Sequence, residues 1–156
     1  LVRAYQLVGY TPDRDYRYLE VNRLLRQMHP DLVAKTEARI AALGGEVTRD
    51  PATDILWVNR EFTVSIVLAR YQAHAEGRAR WKVRLDAGLN PDVSVAVRLD
   101  STNKDVLDYY LLPHLDFGGP RLSLADQNPA EFESYRFETL DYLYSMAERA
   151  RVRVAA

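Results

Sequence analysis

Apolar residues recur at helical spacing through the first third of the chain and then change to alternation. Leu1 to Val8 carries the helical period and stops at Gly9, with Thr11 and Pro12 following, as at a helix end capped by glycine. Residues 1–12 are therefore expected to be the tail of an upstream helical segment, and 13–156 a single domain. The chain opens on Leu1 within that helical pattern, which reads as a piece of a longer protein. From Asp15 to Met28, Tyr18, Val21, Leu24, Leu25 and Met28 share one face of an amphipathic helix. Pro30 is expected to end that helix and to open a second over Asp31 to Leu43, closed by Gly44 and Gly45.

Beyond Gly45 the period becomes two. Glu46 to Arg49 and Ile55 to Val58 flank Asp50-Pro51-Ala52-Thr53-Asp54 and predict a hairpin. Phe62 to Tyr71 is apolar on both faces, as a central strand is. Trp81 to Leu85 alternates, with Trp81, Val83 and Leu85 inward and Arg80, Lys82 and Arg84 outward. Val93 to Leu99 and Val106 to Leu112 complete the set, with a turn over Ser101 to Lys104. Pro113 to Pro129 reads as a loop. Glu131 to Arg149 reads as one helix with more apolar surface than a single stripe holds. The fold class expected is α+β: a mainly antiparallel sheet of about five to six strands packed against N-terminal helices and a C-terminal helix. Trp81, Val83, Leu85, Val95, Val97, Ile66 and Leu68 are expected in one core beneath the helices.

A chain of 156 residues, 47% hydrophobic, has the size of one domain. Its net charge of −1 offers no overall basic field, so any nucleic-acid contact needs a local patch. No cysteine is present, which excludes disulfides, thiolate nucleophiles and Cys-type zinc sites and fits a cytoplasmic protein. His29, His74 and His114 share no ligand spacing, and no cofactor or metal is expected. No apolar run has membrane-spanning length, so no membrane partner is expected.

The local feature that points to chemistry is the row Arg80, Lys82 and Arg84, with Arg70, Arg78, Arg98 and Lys104 on neighbouring segments. Residues two apart on a strand stand on one face about 7 Å apart, a spacing that matches successive phosphates. These seven are the candidate DNA-binding residues. The bland alternative is a solvated face paired with Asp86, Asp92 and Asp100. Pro91-Asp92 before a β run invites comparison with restriction-type nucleases, which need a second carboxylate to hold Mg²⁺ and a lysine to activate water. The run Val93-Ser94-Val95-Ala96-Val97-Arg98 supplies no such carboxylate, leaving a degenerate nuclease-like domain as a distant alternative. The ten tyrosines, among them Tyr109, Tyr110, Tyr135, Tyr142 and Tyr144, read as core rather than as nucleophiles or stacking platforms. No glycine pattern forms a phosphate-binding loop.

The opening Arg3-Ala4-Tyr5-Gln6-Leu7-Val8-Gly9-Tyr10-Thr11-Pro12-Asp13-Arg14-Asp15-Tyr16-Arg17-Tyr18 resembles the C-terminal half of large serine recombinases of the resolvase/invertase family. So do Asp50 to Asp54, Arg80-Trp81-Lys82-Val83-Arg84-Leu85-Asp86, Leu107 to Pro113 and Tyr135 to Asp141. In that family the catalytic serine lies in an N-terminal domain, and no position here matches it. The resemblance therefore implies a non-catalytic accessory domain in DNA recombination, not itself an enzyme, whose partners are DNA and the recombinase's N-terminal domains. The alternative it leaves open is a protein–protein module that self-associates through the Glu131 to Arg149 segment.

Overall fold

The computed structural model describes residues 12–73, 78–85, 90–114 and 121–149. The expected tail over 1–12, His74 and Asp86 lie outside these residues, apart from Pro12. The class is α+β, as the periodicities predict, with eight strands rather than five or six.

One helix, α1 (Pro12–Ala42), replaces the two expected on either side of Pro30. A proline inside a helix forfeits a backbone bond and clashes with the preceding turn, at roughly 3 kcal/mol. Packing on both sides of it offsets that cost. Leu25 and Met28 before the proline and Val33 and Ile40 after it all lie against the same sheet face, and His29 Nε2 donates to the Ile66 carbonyl at 2.7 Å. Gly44, at φ +85°, then turns the chain, since its N–H bonds the Ala41 carbonyl in a backbone conformation that a side chain resists.

The strands are β1 (Val47–Arg49), β2 (Leu56–Val58), β3 (Phe62–Ala73), β4 (Ala79–Arg84), β5 (Val93–Leu99), β6 (Val106–Pro113), β7 (Arg121–Ala125) and β8 (Arg136–Phe137). The main sheet runs β1-β2-β3-β5-β6-β8. All its described pairs are antiparallel except β3 with β5, which are parallel from Val64↔Val93 to Ala69↔Arg98. The far end of β3, Arg70 to Ala73, instead pairs with β4, and β4 pairs with β7. This second ladder folds back across the main sheet.

The result is three layers and two cores. Between helices and main sheet lie Val33, Ile40, Leu56, Val58, Val64, Ile66, Val95, Val97, Leu99, Leu111 and Leu143. Between the two sheets lie Ala69, Trp81, Val83, Leu85, Ala96, Tyr110, Leu112 and Leu124. The expected single core is thus divided: Trp81, Val83 and Leu85 belong to the second core, Val95, Val97 and Ile66 to the first, and Leu68 is only partly buried at its edge. The inward register of β4 itself is as predicted.

The C-terminal segment is not one helix. It divides into α2 (Ala130–Glu133), β8 and α3 (Asp141–Ala147). Phe132 and Tyr135 pack on the second core while Phe137, Leu140, Leu143 and Met146 pack on the first, and no straight helix reaches both faces of a sheet. Part of the expected loop between Pro113 and Pro129 is strand β7, which sets Leu124 beside Trp81 in the second core.

Candidate nucleic-acid interface

On β4, Trp81 and Val83 turn into the second core while Lys82 and Arg84 are exposed and Arg80 is partly covered. The ladder sets Lys82 opposite Arg70 on β3 and Ser123 on β7, Arg80 opposite Gln72 and Ala125, and Arg84 opposite Arg121. No carboxylate occupies any of these positions. Arg80, Lys82 and Arg84 form no ion pair with any described residue. Of the carboxylates expected to neutralise them, Asp92 and Asp100 are committed elsewhere. Asp92 accepts from the Thr63 amide at 2.8 Å, and Asp100 Oδ1 accepts from the Thr102 hydroxyl at 2.6 Å. That hydroxyl bond, with amides of Thr102, Lys104 and Asp105, holds the Asp100 carboxyl below its usual range. Adjacent cations about 7 Å apart repel by about 0.6 kcal/mol in water, so the row is tolerable alone but gains from an anion laid along it.

Of the seven sequence candidates, Arg70, Arg80, Lys82 and Arg84 share this ladder, and Arg70 Nη1 donates to Asn22 of α1 at 2.8 Å. Arg78 is exposed just before β4. Lys104 stands in the turn after β5, beside Leu24, Met28 and Asp31 of α1, off the β4 row. Arg98 does not face solvent at all. It lies between the sheets, because β5 alternates and its even-numbered residues face β4.

Arg98 is the centre of a buried polar network with no obvious sequence signal. Its Nε and Nη2 donate to the two Asp108 carboxylate oxygens at 2.6 and 2.5 Å, and Nη1 donates to the Ala125 carbonyl at 2.7 Å. The guanidinium carbon stands 4.4 Å from the Trp81 ring centroid and 5.2 Å from that of Tyr110. Burial pulls its pKa down, but the bonds and charge of Asp108 outweigh that and hold it above its ordinary value. Arg136 reaches Asp108 from the rim at 3.1 Å. Beside it, Tyr110 donates to Glu133 at 3.2 Å and accepts from the Asn128 side-chain amide at 2.9 Å. Every buried side-chain polar atom among the described residues has a partner, so this cluster fastens β7 and α2 to the sheets.

The nuclease comparison turns on Asp92, which is exposed at the start of β5 and is bonded to Thr63. Among the described residues no three His, Asp or Glu side chains cluster so as to hold a metal ion. No described helix is long and apolar enough to cross a membrane.

Neither a family model nor a curated protein matches the chain. Among solved structures it is similar to the bacterial homing endonuclease I-Ssp6803I, with 16% identity, 78% of this chain and 92% of that chain covered, and a TM-score of 0.48. Two expectations are corrected here. The resemblance to serine recombinases is withdrawn, since no family or curated match carries it and the similar solved chain is an endonuclease. The expectation of a chain without enzymatic activity rested on that resemblance and is withdrawn with it.

Proposed function

We propose that this chain binds DNA, gripping the phosphate backbone with the outer face of the β3–β4–β7 ladder. The observation that carries the reading is the row Arg80, Lys82 and Arg84, without an ion pair among the described residues, on a face whose partner positions hold no carboxylate. Phosphate contacts of this kind position a protein without reading sequence. The test is the salt dependence of binding to a short duplex. Each phosphate contact contributes about 0.9 to the log–log slope, so replacing all three residues with alanine is expected to flatten it by roughly 2.7. Between 50 and 200 mM salt that is about a fortyfold difference in how steeply affinity falls. An unchanged slope refutes the assignment of this face.

A second reading, a nuclease-like domain for which DNA is substrate, rests on the exposed carboxylate of Asp92 at the mouth of the parallel β3–β5 pair. Adding Mg²⁺ to the same samples and following strand breaks tests it. Cleavage abolished by Asp92→Asn supports it, and cleavage absent or indifferent to that change refutes a role for Asp92.

A further inference from the structure

Between the Lys82–Ser123 and Arg84–Arg121 cross-strand pairs the outer face of the ladder sinks into a depression of about 480 Å³. It is lined by Lys82, Val83 and Arg84 from β4 and by Leu122 and Ser123 from β7. The Val83 side chain is buried in the core beneath, so the Val83↔Leu122 pair forms the floor between the two basic side chains. The Ser123 side chain is exposed directly across the ladder from Lys82. Two cations, a hydroxyl donor and, among the described residues, no acid therefore line a hollow whose volume falls within the range of small-ligand sites, roughly 300–1,000 Å³.

The geometry points to this hollow as a seat for a single phosphate group of a nucleic-acid strand together with its attached sugar, with Ser123 of β7 as a binding residue beside Lys82 and Arg84. The inference rests on the DNA-binding reading and sharpens it. A row of cations on β4 alone would only attract a backbone, whereas a walled seat that includes a neutral donor fixes where one phosphate sits. Phosphate is the chemistry that fits. It presents several acceptor oxygens, which Lys, Arg and a serine hydroxyl can all address at once, and its negative charge relieves the repulsion between Lys82 and Arg84. The phosphate can come from the interior of a strand or from its 5′ end.

The experiment measures binding of the full chain to fluorescein-labelled oligonucleotides at low salt, comparing Ser123→Asp, Ser123→Lys and the Arg80/Lys82/Arg84 triple alanine variant. Ser123→Asp sets a carboxylate across the ladder from Lys82 and is expected to weaken binding at least tenfold. Ser123→Lys adds a cation at an exposed strand position and is expected to tighten it several-fold, so loss of affinity through misfolding cannot imitate the whole pattern. Gln127→Asp, which adds the same charge at an exposed residue outside the ladder, is expected to leave affinity within twofold. Competition by a closed circular duplex assigns the seat to internal phosphates. Competition by a 5′-phosphorylated but not a 5′-hydroxyl oligonucleotide assigns it to strand ends. If the triple variant weakens binding while both Ser123 variants bind like the parent, the seat is refuted and the basic face stands. If the parent chain binds none of these ligands, the DNA reading itself fails.

Discussion

Replacing Asp108 with alanine removes the carboxylate that neutralises Arg98 and leaves the guanidinium in place between the sheets. Both side chains are nearly inaccessible, at 2% and 3% exposure, so water cannot take over the two bonds to Nε and Nη2. Stripping one partner from a buried ion pair costs roughly 3–5 kcal/mol, because the remaining charge stays desolvated. The Ala125 carbonyl and the faces of Trp81 and Tyr110 still contact the guanidinium, which places Asp108→Ala at the lower end of that range. A domain's whole stability is about 5–15 kcal/mol, so the loss is a large share of it. At roughly 2–4 °C per kcal/mol for a domain of this size, Tm falls by about 6–12 °C for 3 kcal/mol. Urea unfolding followed by far-UV circular dichroism measures the free energy directly. The double variant Arg98→Met with Asp108→Leu removes both charges, and it is expected to recover most of the loss, since apolar pairs of similar volume replace buried ion pairs at little cost. The reasoning is refuted if Asp108→Ala costs less than about 1 kcal/mol, or if the double variant is as unstable as the sum of the two single ones.

Further outcomes are expected elsewhere in the fold. Glu133 is held below the usual glutamate range, first by the Asn128 amide and then by Tyr110, the Asn128 side chain and Arg136, against a raising effect of burial. Its lowered folded pKa means that its contribution is present above the unfolded glutamate pKa and is lost as pH falls through the folded value. Glu133→Gln should therefore flatten the acid limb of a stability–pH curve, and an unchanged limb would count against the Asn128–Glu133 contact. Asn103 receives the Tyr71 amide at 2.7 Å and donates to the Tyr71 carbonyl at 3.3 Å, extending the sheet where β5 has ended. It does so at φ 57°, a conformation Asn tolerates. Asn103→Ala should cost about 1–3 kcal/mol in urea unfolding through the amide left without its partner, with faster hydrogen exchange at Tyr71. A Cβ at Gly44 would stand 2.3 Å from the Arg149 carbonyl oxygen at φ +85°, so Gly44→Ala should lower Tm and loosen the C-terminal segment to limited proteolysis. Cleavage kinetics like the parent's would show that this contact does not hold the segment.

Local pattern determined much of this protein. The alternation of Trp81, Val83 and Leu85 against Arg80, Lys82 and Arg84 settles which side of β4 is core, because side chains on a strand point alternately to opposite faces whatever packs on them. The α+β class and the bounds of β5 follow from periodicity in the same way. What alternation cannot say is what lies on each face. Arg98 occupies an even position of β5, and only the folding of the β4–β7 ladder over the main sheet makes that side an interior and Asp108 its counter-charge. The helix through Pro30 was likewise hidden, since the local penalty of a proline is legible in sequence and the packing that outweighs it is not. Gly118-Gly119-Pro120 before Leu122 and Leu124 was a usable sign of β7, masked by the turn residues around it. The parallel pairing of β3 with β5 and the division of the C-terminal segment between two cores are long-range outcomes. They depend on which surfaces lie uncovered once the other elements have docked, and that is a property of the assembled layers and not of any stretch of chain.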